Sequence, residues 1–213
     1  MDLISPEAQN YIDKLIPPRD EELRKMEEHA RRSGFPIVGP ASGHLCYQIT
    51  RMIGARSVFE LGSGFGYSTA WFARAVKENG GGTVQHVVWD KTLSVRARQH
   101  LSALGYEDIV KYHVGEAVAA LRESDGPYDV IFNDIDKASY PDSLPVIQDK
   151  LRPGGVLIID NMLWSGRIFD EADRSESTVG IRRFTTKIID DPGWIVSLVP
   201  IRDGLIVAYR SGS

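Results

Sequence analysis

From Ser57 onward the chain alternates short apolar runs, which read as strands, with longer segments of helical period, and the way this alternation ends permits few folds. Strands are predicted at Ser57–Leu61, Val84–Trp89, Val110–Val114, Asp129–Asn133, Val156–Ile159, Ile195–Val199 and Leu205–Tyr209, with a helix after each of the first five. Most of the early runs are continuously apolar, the pattern of parallel strands covered on both faces. The last two are joined only by Pro200-Ile201-Arg202-Asp203-Gly204, too short for a crossover helix, so they must pair as an antiparallel hairpin. The expected fold is α/β: a seven-stranded, mostly parallel sheet ending in a C-terminal antiparallel hairpin, with helices on both faces.

Residues 1–54 are expected to add an N-terminal helical extension to a single domain spanning 1–213. Ser5-Pro6-Glu7 starts a helix that stops at Pro17-Pro18. A charged second helix runs from Asp20 to about Arg32, with apolar positions at Leu23, Met26 and Ala30. A third runs from about Ser42 to Ile53. These helices have more apolar surface than a short extension needs, which suggests a homodimer, although helices that cover one another read the same way.

Hydrophobic residues make up 42% and charged residues 25%, enough for one sizeable core. The formal charge is −4 with no long Lys/Arg run, so a small molecule is the expected partner rather than a nucleic acid. The single cysteine, Cys46, excludes an intramolecular disulfide and reads as a buried core residue. Met1–Ser5 is polar, and no stretch approaches the ~20 apolar residues of a membrane span, so a cytoplasmic protein is expected.

The first strand runs into Val58-Phe59-Glu60-Leu61-Gly62-Ser63-Gly64-Phe65-Gly66-Tyr67-Ser68-Thr69, a glycine-rich turn entering a helix whose start is marked by Ser68 and Thr69. Such glycines let a ligand approach the backbone, and Glu60 at the strand end can accept hydrogen bonds from it. The third glycine falls one position early for the dinucleotide fingerprint, which disfavours an NAD oxidoreductase. Glu60 would repel phosphate and suit a cationic amine or sulfonium.

Ligands of open α/β sheets bind beyond the C-terminal strand ends. Polar groups accumulate there: Trp89-Asp90, Gly115-Glu116-Ala117, Asn133-Asp134-Ile135-Asp136-Lys137 and Asp160-Asn161. Any one of these acids reads equally as a solvated strand end, but carboxylates on five neighbouring ends repel unless a cation compensates. Asp134, Asp160 and Asn161 form an all-oxygen set suited to a hard divalent ion, magnesium first, with calcium or manganese as alternatives. Lys137, three residues after Asp134, is a candidate general base, the plainer reading being an Asp/Lys surface pair.

The segments Phe59–Ser68, Phe132-Asn133-Asp134-Ile135-Asp136-Lys137-Ala138-Ser139-Tyr140, Ile159-Asp160-Asn161-Met162-Leu163-Trp164-Ser165-Gly166 and Pro200–Leu205 occur in an order that resembles the cation-dependent O-methyltransferases of the catechol and caffeoyl-CoA type. The resemblance implies a Rossmann-like fold that uses S-adenosylmethionine, with the metal at Asp134, Asp160 and Asn161 and Lys137 as catalytic base beside Asp134. It also implies that Val38, Glu60, Gly62, Ser63, Gly64, Ser68, Asp90 and Asp134 line the cofactor, with Glu116 and Ala117 near the adenine. Two positions depart from the pattern. Trp89 stands where the family has an acid, leaving either Asp90 to take the ribose or Trp89 to pack on the adenine, and Asn133 replaces an aliphatic residue.

The expected activity is divalent-metal-dependent O-methylation of a small catechol-like or phenolic hydroxyl. Trp164, Phe169 and Tyr140 are candidates to sandwich the ring. Two alternatives stay open: methylation of a hydroxyl on a modified tRNA base by the same site, and an S-adenosylmethionine-binding protein without catalysis. The segment Trp164–Ser175 carries no specific signal of substrate.

Overall fold

In the computed structural model, which describes residues 4–212, seven strands form one sheet. They are β1 (Ser57–Leu61), β2 (Thr83–Val88), β3 (Val110–Val114), β4 (Tyr128–Asn133), β5 (Leu151–Ile159), β6 (Trp194–Val199) and β7 (Leu205–Arg210). Their order is β3-β2-β1-β4-β5-β7-β6. The first five pair in parallel, β7 runs antiparallel to both β5 and β6, and the hairpin expected from the short connection is present. The chain builds outward from β1 to β3, then returns to lay β4 on the other side of β1. The strand ends diverge there, opening a crevice at their C-terminal edge.

Among the described residues eight helices flank the sheet: α1 (Pro6–Leu15), α2 (Glu21–Ser33), α3 (Gly39–Met52), α4 (Tyr67–Glu78), α5 (Lys91–Ala103), α6 (Ala117–Glu123), α7 (Tyr140–Lys150) and α8 (Glu176–Asp190). Short 3-10 turns at Lys137–Ser139 and Trp164–Phe169 precede α7 and α8. Successive strand residues feed opposite faces, so both are buried. Val58, Val84, Val130, Phe132 and Ile158 pack under α3 and α4, where Phe72 meets Phe132 at 5.6 Å between ring centroids. On the other side Phe59, Leu61, Ile131, Leu157 and Ile159 meet Leu121, Ile147 and Phe184.

Local chemistry moves several predicted boundaries. The third helix starts at Gly39 rather than Ser42, because Pro40, whose fixed φ and missing N–H suit a first turn, is taken into it. Gly66 is the left-handed N-cap of α4 (φ 92), so Ser68 and Thr69 lie inside the helix instead of marking its start. Strand β2 stops at Val88, leaving Trp89 outside it and 71% exposed.

The N-terminal helices form as read: Ser5 caps α1 by accepting from Ala8 N at 3.2 Å, and α2 buries Leu23, Met26 and Ala30. No residue of α1 is buried. The polar start at Met1–Leu3 lies outside the described residues. Among those described, no helix is long and apolar enough to cross a membrane.

Gly62 fixes how the glycine turn meets the rest of the sheet. Its φ is 88, and a Cβ at this position would stand 2.6 Å from the carbonyl oxygen of Asp134. Only glycine allows both the left-handed backbone and that approach. The turn is thereby held against the end of β4, where Asp134 N donates to Leu61 O at 2.8 Å.

Candidate active site

A cavity of about 860 Å³ opens at the crevice beyond β1, β4 and β5. One wall is the glycine turn, with Gly62, Ser63, Gly64 and Ser68; above it lies the strap Phe35–Val38 that leads into α3. The opposite wall holds Asp134, Lys137, Asp160 and Asn161, followed by Trp164 and Ser165, and the β6–β7 turn adds Arg202 and Asp203. Residues from four separate motifs thus meet because β1, β4, β5 and the hairpin end side by side.

Each polar group has an identifiable environment. Lys137 donates from Nζ to Asp134 Oδ1 at 2.6 Å and to the Ile135 carbonyl at 3.2 Å. Its ammonium also lies 5.4 Å from the Tyr140 ring and 5.9 Å from the Trp164 ring. Burial pushes the Asp134 carboxyl pKa up, and the adjacent Lys137 charge offsets part of the rise. Asp160 is 6% exposed; burial and then the Asp134 charge raise its pKa, against the Asn161 N–H that donates to Oδ1 at 2.8 Å. Asn161 itself is left-handed, at φ 59.

Two carboxylates that repel each other beside an amide, Asp160 buried and Asp134 partly so, make an oxygen-donor site short of positive charge, which is what a hard divalent cation would supply. Among the described residues no three or more His, Cys, Asp and Glu side chains gather as a metal cluster, so any cation site here depends on the Asn161 amide as its third donor.

Glu60 lies fully buried beneath the glycine turn, and neither of its carboxylate oxygens has a hydrogen-bond partner. Burial raises its pKa from 4.5 to about 7, while the nearby hydroxyls of Ser68, Thr69 and Ser63 offset part of the effect. Thr69 Oγ1 meets His86 Nδ1 at 3.0 Å, while Ser63 Oγ accepts from Val87 N at 2.9 Å, which leaves its proton free to donate. A buried carboxylate without a partner lacks a compensating positive charge.

Val38 is buried at the strap and lines the cavity. Asp90, Glu116 and Ala117 are not on its wall, and neither is the wholly buried Glu60. Asp90 caps α5, its Oδ1 accepting from Thr92 N and Thr92 Oγ1, both at 2.6 Å, and these bonds lower its pKa. Glu116 caps α6 through Val118 N and Ala119 N, and Ala117 is buried against the core.

Of the three aromatics, Trp164 lines the cavity and Phe169 is 64% exposed. Tyr140 is wholly buried and braces the site from behind, donating from its hydroxyl to the Asp160 carbonyl at 3.0 Å. Asn133 faces the core, with Nδ2 donating to Ser143 Oγ at 3.0 Å. Cys46 is buried, and burial pushes its thiol pKa up.

The strap Phe35–Ile37 is a wall that no sequence motif marks, and Arg202 and Asp203, legible as a tight turn within a segment that resembles the family, carried no assigned role. An ion-bearing pair inside a five-residue turn was the available signal.

The chain is similar to known proteins over nearly its whole length. A catechol O-methyltransferase of Niastella koreensis is 29% identical over 185 residues, covering 84% of this chain and 83% of the relative. An O-methyltransferase of Bacillus cereus, solved in complex with SAH, superposes with a TM-score of 0.87 at 27% identity, covering 96% of this chain and 97% of that one. TomG of Streptomyces achromogenes, an O-methyltransferase involved in tomaymycin synthesis and solved in complex with SAM, gives 0.86 at 26% identity, covering 97% of this chain and 96% of that one. The family model described as O-methyltransferase matches residues 16–211, and the chain belongs to that family of enzymes.

Proposed function

We propose that this enzyme uses S-adenosylmethionine and a divalent cation to methylate one hydroxyl of a small catechol-like or phenolic acceptor. The observation that carries the reading is the convergence of Asp134, Lys137, Asp160 and Asn161 on the cavity that the glycine turn also lines. Relatives named for S-adenosylmethionine and S-adenosylhomocysteine complexes and for catechol methylation support the donor and the acceptor class.

In this reading Gly62, Ser63, Gly64, Ser68 and Val38 hold the donor, and Glu60, buried behind the glycine turn, would supply negative charge toward its cationic end. Asp134, Asp160 and Asn161 would hold the cation, which when bound supplies Lewis acidity that favours the ionised acceptor hydroxyl. Lys137, in its neutral amine form after its own ammonium proton has passed to solvent, accepts the hydroxyl proton on Nζ, which lies on the cavity wall against Asp134. Trp164 offers a ring face for the acceptor and closes that side to water. The oxygen then takes the methyl group as its bond to sulfur breaks, leaving a neutral thioether. No covalent enzyme intermediate is required, and Cys46, sealed in the core, has no part.

We further infer one domain acting as a cytoplasmic homodimer. A lone buried thiol suits a reducing compartment, and Tyr11 and Leu15 on α1 with Ile195 and Leu198 on the edge strand β6 expose apolar surface for a second copy.

The test is methyl transfer from S-adenosylmethionine to caffeic acid with magnesium, then with excess chelator, for the wild type and Lys137→Ala. Transfer should vanish in chelator and return with magnesium. Lys137→Ala should lower turnover about 10²–10⁴-fold while retaining S-adenosylhomocysteine binding. Undiminished transfer in chelator would remove the cation from the mechanism, and normal turnover in the variant would remove the base.

A further inference from the structure

Resting on the cation site just proposed, we propose that Asp203 is a positioning residue: it holds the Asn161 side chain so that the amide oxygen, not the nitrogen, is turned toward the site shared with Asp134 and Asp160. An asparagine can serve as a ligand to a hard cation through its oxygen only, and its two ends differ so little in shape that packing cannot choose between them. The choice has to come from hydrogen bonding by a neighbour.

That neighbour is Asp203, whose carboxylate can only accept. Asn161 Nδ2 donates to its Oδ2 at 3.2 Å, and the backbone N–H of Ser165 donates to its Oδ1 at 2.5 Å. Because the nitrogen is engaged with Asp203, the oxygen is left for the other side. The surroundings make this partner hard to move. Leu163 N donates to the Asp203 carbonyl at 2.8 Å and Met162 N to the Gly204 carbonyl at 3.0 Å, so the β6–β7 turn is zipped to the 161–165 segment by backbone as well as side chain.

The same segment carries left-handed residues other than glycine at Asn161, Trp164 and Ser165, and Arg202 in the facing turn is also left-handed. Strain of this kind persists only where the surroundings over-determine the conformation. Gly204 lets the two segments touch, since a Cβ there would stand 2.5 Å from Leu163 Cγ.

The test exchanges donor and acceptor without emptying the space. In Asp203→Asn the Ser165 N–H cannot change polarity, so the new amide must keep its oxygen there and turn its NH2 toward Asn161. Asn161 then flips and presents nitrogen to the cation. In the double variant Asn161→Asp with Asp203→Asn, the donor and acceptor trade places, and the residue at 161 again offers an oxygen.

Mn2+ binding to the purified full-length protein, without acceptor, is read by the electron paramagnetic resonance signal of free Mn2+. The wild type should bind one ion per chain, Asp203→Asn should weaken binding about 10–100-fold, and the double variant should recover to within several-fold of wild type. Wild-type binding with an unaffected Asp203→Asn would overturn this inference and leave the cation site standing. Weakening that the double variant does not repair would reduce Asp203 to a loop anchor. No Mn2+ binding by the wild type would remove the cation site and this inference together. If Asp203→Asn does not fold, recovery of both folding and binding in the double variant still supports the polarity rule, and its failure to bind overturns it.

Discussion

At the scale of residues, Glu60 shows how burial sets a charge. Its pKa is raised from 4.5 to about 7, so the folded protein holds a proton there that the unfolded chain has already released between those two values. The stability that goes with this proton is complete below about pH 4.5 and is lost as pH rises through about 7. Glu60→Gln removes the penalty. In ligand-free protein it should therefore be stabilising at pH 8 relative to pH 5 by on the order of 1–3 kcal/mol, read from urea unfolding at both pH values. A difference that does not change with pH would mean that Glu60 is not held protonated. The same variant should bind S-adenosylmethionine, whose sulfur is cationic, more weakly.

What the sequence disclosed at this scale depended on where each acid lies. Asp134, Lys137, Asp160 and Asn161 follow two adjacent parallel strands, and strand order alone brings them together. Asp90 and Glu116 also follow strands, but each stands one residue before a helix, where unsatisfied backbone N–H groups claim a carboxylate. The Asp-x-Thr at 90–92 was the visible sign of that cap.

At the scale of elements, the long connection between β5 and α8 is gathered from behind by one side chain. Arg182, on α8, donates to the carbonyls of Ile168, Asp170 and Asp173 at 2.6–3.1 Å, and to that of Arg167 at 3.4 Å. The segment following Trp164 is therefore shaped from behind. Arg167 adds a bond to Asp173 at 2.8 Å and lies over the Trp164 ring at 5.7 Å. Arg182→Met, which keeps the stem and removes the donors, should raise the acceptor KM several-fold and speed proteolysis between 165 and 175. S-adenosylhomocysteine affinity should stay within about twofold. Equal losses for donor and acceptor would show that the effect is global.

This connection was opaque in the sequence for a physical reason. It has neither helical nor strand period, and its conformation is imposed by an arginine 14 residues beyond Ile168. The parallel strands, by contrast, were legible because a buried strand must be apolar throughout, and the hairpin because five residues cannot cross a sheet.

At the scale of the whole molecule, the cavity lies where the strand order reverses between β1 and β4, so a bound donor would touch both halves of the fold at once. Linkage then predicts a large thermal response. At S-adenosylhomocysteine concentrations near 100 times its Kd, binding contributes about 2.7 kcal/mol, which for a chain of this length raises Tm by roughly 5–10 °C in differential scanning calorimetry. An unchanged Tm under those conditions would contradict the assignment of the cavity to the donor.

The place of β7 between β5 and β6 has a consequence for biosynthesis. The strand nearest the C-terminus is not an edge but an interior member of the sheet, and the turn that precedes it supplies the partners of Met162, Leu163, Ser165 and the Asn161 side chain. While residues 200–210 are still in the ribosomal exit tunnel, β5 is an open edge and the wall of the cavity is unsecured. A nascent chain can assemble its glycine turn early but can complete the cavity only once residues 200–210 have emerged, so competence to methylate doubles as a sign that the sheet has closed.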